Sequence, residues 1–120
     1  MRTLGAVALL VAAVGVPLPA HHSVPVNFDQ SREVTISGVL TEVKWINPHS
    51  RFRMDVMNEE GSTAEWLVEM GSINAMKRTD FQTERFAVGD RVTVIGWPGR
   101  RGRVVLLRTA VLADGTRLSP

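Results

Sequence analysis

The sequence contains no cysteine in its 120 residues, and that absence excludes several kinds of protein. A chain without cysteine forms no disulfide, so its fold depends on its hydrophobic core alone. It also offers no thiolate as a metal ligand or as a nucleophile. Catalytic motifs are missing too, since we find no Gly-x-Ser-x-Gly elbow, no phosphate-binding loop and no helical His-Glu-x-x-His pair. These absences favour a binding protein over an enzyme.

The chain also lacks a large excess of charge of one sign. It carries 14 basic and 12 acidic side chains. One of the basic residues, Arg2, lies in an N-terminal segment that we expect to be removed, which leaves 13 basic residues against 12 acidic ones. Nucleic-acid binding depends on concentrated positive charge, so we expect no nucleic-acid partner.

No hydrophobic run in the sequence is long enough to span a membrane. The longest, residues 4–16, falls short of the roughly 20 residues that a transmembrane helix needs. It follows the basic residue Arg2 and precedes a Pro-Leu-Pro-Ala sequence that ends at Ala20. A basic start, a short apolar stretch and a small residue are typical of a secretion signal. We therefore predict a signal peptide over residues 1–20, cleavage after Ala20, and a periplasmic or secreted protein without a membrane span.

The remaining hundred or so residues suit one small domain. We predict an extended N-terminal arm over residues 21–32, with Phe28 tucked onto the core, and one domain over residues 33–120. Alternating or β-rich patterns predict five strands, near residues 34–45, 52–56, 64–70, 91–97 and 104–112. A short helix is predicted over residues 73–78, with Ser72 as its N-cap. Gly38 indicates a bulge or bend, and Asp114-Gly115 indicates a type I′ turn before a short terminal ribbon.

Three strands, a helix and two more strands follow the order of an OB-fold, a five-stranded Greek-key barrel. The predicted fold class is therefore all-β with one short helix. A small SH3-like barrel or an open sandwich is the alternative.

Histidine is scarce, and its three positions are informative: His21, His22 and His49. Cleavage after Ala20 would make His21 the N-terminal residue, so that one residue offers both an α-amine and an imidazole. Their usual pKa values, roughly 8 and 6.5, allow both to lose a proton near neutrality. A third nitrogen from His49, in an Asn-Pro-His turn, would complete a T-shaped site that suits copper.

The role of His22 is left open, as a third ligand, a fourth ligand or a bystander. Zinc is less favoured than copper, because the ligands are all nitrogen and are chelated at the terminus. In the alternative interpretation the histidine pair is a simple tail and His49 forms hydrogen bonds within its own turn.

Other side chains could contribute to the same site. Glu65 and Glu69 lie on one strand face, four residues apart, where a carboxylate could orient an imidazole or simply be solvated. Met54 and Met70 alternate with polar neighbours, which indicates core residues rather than Cu(I) ligands. The tryptophans are expected to serve in packing; they are Trp45, Trp66 and Trp97.

A basic turn suggests a second function from a different class. Arg100, Arg101 and Arg103 follow Trp97 in the sequence. OB-folds bind polymers through such loops, so the domain would be a non-catalytic module that binds an anionic glycan, lipid or protein partner. A solvated turn that blocks strand pairing is the simpler interpretation.

Several short motifs together resemble one family of small exported bacterial proteins, labelled only as a domain of unknown function. The motifs are Ala20-His21-His22-Ser23, Gly38, Asn47-Pro48-His49, Trp66, Gly71-Ser72, and Gly89-Asp90 with Val92. The sequence departs from the family pattern at residues 78–81, where a glycine and often a tryptophan are expected. The resemblance implies an exported domain and no established activity, so the metal site is inferred from the histidines themselves.

Overall fold

The computed structural model describes residues 23–120. The predicted signal peptide, His21 and His22 lie outside the described residues. The elements are α1 (Ser23–Asn27), β1 (Val34–Lys44), β2 (Arg51–Met57), β3 (Thr63–Glu69), α2 (Ile73–Met76), a 3₁₀ turn (Thr83–Arg85), β4 (Arg91–Pro98), β5 (Val104–Leu112) and β6 (Arg117–Leu118). No helix between residues 23 and 120 is both long enough and apolar enough to cross a membrane.

The strands close into a barrel. β1, β2 and β3 form an antiparallel meander, β1 also pairs with β4, and β4 pairs with β5. A short parallel pairing between β3 and β5, from Leu67↔Val104 to Glu69↔Leu106, joins the two ends of the sheet. β6 adds two residues beside β5. The predicted OB-like, five-stranded barrel is confirmed.

Alternation along the strands sends one set of side chains into the barrel. Phe52 and Met54 of β2 are fully buried, and so is Val68 of β3. Met70 is 1% exposed, so both methionines considered as copper ligands are core residues, as predicted. Trp45 makes edge-to-face contacts with three rings of the same core, those of Phe52, Phe81 and Phe86.

Gly38 lies where β1 approaches β2 too closely for a side chain. A Cβ at this position would overlap the backbone carbonyl of Asp55. The bulge itself comes slightly later in β1, between Leu40 and Glu42, where the register with β2 shifts. The sequence therefore indicated an irregularity in the correct strand, β1. Glycine is required at position 38 because the two backbones approach closely there.

Helix α2 has the N-cap that the sequence predicted. The Ser72 hydroxyl accepts a hydrogen bond from the Ala75 amide at 3.0 Å. The helix ends at Met76 rather than at Arg78. Thr79 explains the earlier end, because its hydroxyl donates to the Met76 carbonyl at 2.8 Å and accepts from the Phe81 amide at 3.2 Å. This bonding lies in the segment that departs from the family pattern.

The predicted type I′ turn at Asp114-Gly115 was wrong. A type I′ turn needs positive φ at both central residues, and only Gly115 has it, at 87°. The Gly115 amide donates to the Leu112 carbonyl, and the Leu112 amide donates to the Thr116 carbonyl, both at 2.9 Å. This is a three-residue loop whose last residue is left-handed. The Asp114 carboxylate favours it by accepting from the Thr116 amide at 2.9 Å.

The N-terminal arm is also not fully extended. We use "the arm" for residues 23–32, whose first part forms the single turn α1. Phe28 donates its amide to the Val24 carbonyl at 2.8 Å, and Pro25 lies in the first turn, where it has no hydrogen bond to lose. The predicted anchoring by Phe28 is confirmed, since its side chain is only 5% exposed.

Candidate functional site

His49 lies in the β1–β2 turn, whose backbone is fixed at both ends. Ser50 is fully buried, and its hydroxyl both donates to the Ile46 carbonyl and accepts from the Ile46 amide, at 3.2 Å each. The Ser50 amide donates to the Gly71 carbonyl, and the Ser50 carbonyl accepts from the Met70 amide. The Asn47–Pro48 peptide bond within the turn is cis. The backbone that carries His49 is thus held on the barrel while residue 49 itself remains exposed.

A shallow depression of about 350 Å³ opens beside this histidine, and we call it the His49 pocket. It lies on the outer surface of β2 and β3. Its lining consists of His49, Ser50, Arg51, Arg53, Leu67 and Glu69. An imidazole, two guanidinium groups and one carboxylate therefore share one surface.

Most of the charge around the pocket is compensated by neighbouring side chains. Arg51 donates to Glu42 at 3.1 Å, and Arg53 donates to Glu65 at 2.6 Å. The hydrogen bond from Arg51 lowers the pKa of Glu42, partial desolvation opposes this, and the charges of Lys44, Arg51 and Arg53 lower it further. Each arginine therefore faces a carboxylate, so the positive charge beside His49 is largely offset.

Glu69 differs from these two acids. It lines the His49 pocket, yet it forms no ion pair with any residue in the described range 23–120. Glu65 and Glu69 were predicted to share one face, where either could orient an imidazole. Glu65 forms an ion pair with Arg53. Glu69 is the one that lies with His49.

The arm docks on the loop between β4 and β5. Phe28 forms a β-bridge with Gly99, and the Asp29 amide donates to the Pro98 carbonyl at 2.9 Å. Arg100 binds the arm twice: its amide donates to Asn27 at 2.8 Å, and its Nε donates to the carbonyl of Pro25 at 3.1 Å. The segment that follows His22 is thus attached to the barrel by one β-bridge and by hydrogen bonds to the β4–β5 loop.

Docking of the arm creates a second and larger depression, of about 750 Å³, which we call the arm groove. Residues 26–28 of the arm and residues 99–101 of the loop line it. Glu69 of β3 and Val104 of β5 complete the lining. Glu69 therefore borders both the arm groove and the His49 pocket, which makes the two depressions neighbours on one face of the barrel.

Only one of the three predicted copper ligands, His49, lies within the described residues. His49 is exposed in its turn, whereas His21 and His22 precede the first described residue, Ser23. Within residues 23–120 no group of three histidine, aspartate or glutamate side chains converges as a metal site would require. The described part of the chain supplies one histidine and one neighbouring carboxylate.

The four residues of the predicted basic site differ in their relation to the arm groove. Arg100 and Arg101 line the arm groove, but Trp97 and Arg103 are absent from its lining. Trp97 carries the guanidinium of Arg108 over its ring, 4.4 Å from the ring centroid. Arg108 was missed from the sequence, because a bulge between Ile95 and Gly96 shifts β4 against β5 and brings it there.

Comparison with known proteins supports the fold and the family. No curated protein matches the chain significantly. Among solved structures, the dimeric N-terminal domain of PriB protein from Thermoanaerobacter tencongensis is similar, with a TM-score of 0.51 and 17% identity, over 70% of this chain and 98% of that one. Identity this low shows the barrel fold alone. Residues 8–108 match a family of unknown function, DUF6152. The chain thus belongs to this family, as its histidine pair and its Asn-Pro-His turn indicated.

Proposed function

We propose that the protein is exported, that its mature form begins at His21, and that it binds one copper ion through His21 and His49. His22 is available as a further donor to the same ion. The role proposed is binding rather than catalysis, because the sequence carries no Gly-x-Ser-x-Gly elbow, no phosphate-binding loop and no helical His-Glu-x-x-His pair. Copper is proposed over zinc because all the donors are nitrogen and two of them belong to one terminal residue.

One observation carries this proposal: Glu69 borders both the His49 pocket and the groove formed by the docked arm. The arm is attached to the barrel through Phe28, Asp29 and Arg100, so the segment just after His21 and His22 is held on the face that presents His49. The chain has no other histidine, so these three account for all the imidazoles available.

The chemistry of the donors supports the same conclusion. The α-amine and Nδ1 of an N-terminal histidine form a chelate ring, which lowers the entropy cost of the second bond. Cu(II) is the strongest binder of nitrogen donors among the common divalent metals. Glu69 lines the same pocket as His49, and carboxylate acceptors beside a metal site hold metal-bound imidazoles in one orientation.

A titration with Cu(II) tests the proposal directly. We expect protein verified to start at His21 to bind one equivalent. A form that retains a methionine before His21, and a His49→Ala variant, should each bind at least about tenfold more weakly, a loss of about 1.4 kcal/mol. Binding should also weaken below about pH 6, because protonated imidazole and amine cannot act as ligands.

Gln82→Ala is a suitable control. Gln82 is exposed and makes no side-chain cap to its 3₁₀ turn, so its loss should leave copper binding unchanged. Equal and weak binding by the processed and the methionine-extended proteins would rule out a ligand role for the N-terminal histidine.

A further inference from the structure

The arm groove has features of a small-molecule site that are independent of copper. Its volume of about 750 Å³ falls within the range of roughly 300–1,000 Å³ that is usual for such sites. Sites of this kind combine apolar surface with a few fixed polar groups. The groove has both, on residues drawn from the arm, the β4–β5 loop and β5.

The polar side of the groove carries two arginines, Arg100 and Arg101, and one carboxylate, that of Glu69, so positive charge is in excess. Arg101 is exposed, and it forms no ion pair with another residue of the described chain, 23–120. Arg100 is fixed by the bond from its Nε to the Pro25 carbonyl, so its guanidinium is held beside the arm. Unlike the arginines of the His49 pocket, neither forms a salt bridge within residues 23–120, although the charge of Arg100 helps to lower the pKa of Asp29. Guanidinium groups bind carboxylates with two parallel hydrogen bonds.

The apolar side comes from the arm and from β5. Val26 is 69% exposed, one of the few large apolar side chains in the described chain that the core leaves uncovered. Phe28 and the half-buried Val104 also line the groove. An exposed apolar surface, chiefly that of Val26, thus lies in the same groove as two guanidinium groups that form no salt bridge within residues 23–120.

We propose that the arm groove binds an amphipathic organic anion, a free molecule with a carboxylate head and an apolar body. Arg100 and Arg101 hold the carboxylate. Val26, Phe28 and Val104 contact the apolar body. Arg103 and Trp97, although close in sequence, take no part.

Decanoate is a suitable probe, added below its micelle concentration to the full protein in the absence of copper. We expect saturable binding by calorimetry, with chemical-shift changes at Gly99, Arg101 and Val104. Arg101→Gln should weaken binding at least about tenfold, because a charge-assisted hydrogen bond is lost. Arg103→Gln is the matched control in the same loop and should change the affinity by less than about twofold.

Further ligands separate the contributions of head and body. Decanol and acetate should each bind much more weakly than decanoate. Equal binding of decanol, or equal loss in the two arginine variants, would overturn the proposal. Binding to phosphatidylglycerol vesicles without binding to free decanoate would overturn it as well, because the surface would then recognise a membrane. Melting curves of both variants verify that they are folded.

Discussion

Three glutamates lie on the barrel surface around His49, and they differ in what they contact. Glu42 and Glu65 are held by arginines at 3.1 Å and 2.6 Å. Glu69 has no such partner among residues 23–120, and it borders both the His49 pocket and the arm groove. At the scale of single residues, Glu69 is therefore the carboxylate that we expect to influence a metal at His49.

Replacement of Glu69 by glutamine should weaken copper binding. Loss of an acceptor that orients a metal-bound imidazole typically reduces metal affinity about 10–100-fold. Glu65→Gln is the matched control four residues away on the same face, and it should leave the affinity nearly unchanged because Arg53 already engages Glu65. Competition with a copper chelator of known affinity measures both variants. Equal affinities for the two variants would contradict a role for Glu69.

The alternation of residues 64–70 was enough to place Glu65 and Glu69 on one outer face. It was not enough to distinguish them. The distinction arises from the register of β2 against β3, in which Asp55 lies opposite Glu65 and Arg53 lies opposite Leu67. Arg53 then reaches Glu65 diagonally, a contact that depends on cross-strand pairing and not on either strand alone. Sequence patterns give the face of a side chain more readily than its partner.

At the scale of elements, the arm is the segment whose structure depends most on tertiary contacts. It is short and polar, and its only buried anchor with a large side chain is Phe28. Hydrogen bonds to Pro98 and Arg100 hold its backbone on the β4–β5 loop. The arm's attachment should therefore depend strongly on one residue.

Phe28→Ala should lower the melting temperature of the metal-free protein and expose the arm to proteolysis. Truncating a buried phenylalanine lowers the free energy of unfolding by about 3–5 kcal/mol. Because the arm can detach and so leave no cavity, we expect a value near the lower end. For a domain of this size 1 kcal/mol corresponds to roughly 4–8 °C. Val26→Ala is the control on the same arm, and its effect should stay within about 0.5 kcal/mol because Val26 is largely exposed. Equal melting temperatures for both variants would show that the arm is not docked through Phe28.

The barrel strands were predictable where their side chains alternate between core and solvent. The arm and the final turn were not. The helical turn of α1 has no periodic apolar pattern, and its docking on the β4–β5 loop uses backbone groups that every residue type carries. The type of the final turn follows from the backbone conformation of Asp114, which the Asp-Gly pair does not determine by itself.

At the scale of the whole molecule, the parallel pairing of β3 with β5 sets the position of the candidate site. It places Val104 beside Leu67 and brings the arm, through the β4–β5 loop, toward the β2–β3 surface next to His49. The order of strands and helix predicted this closed barrel. A metal shared by the N-terminus and His49 would join the arm to the barrel at a second point, beyond the anchor at Phe28.

Thermal unfolding with and without Cu(II) tests this central claim most directly. The protein must be verified to start at His21. A ligand that binds only the folded state adds about 2.7 kcal/mol at a hundredfold excess over Kd. The melting temperature should therefore rise by about 10 °C or more, and His49→Ala should abolish most of that rise. A melting temperature that does not respond to copper at neutral pH, or a rise of equal size in His49→Ala, would contradict a site that joins the two segments.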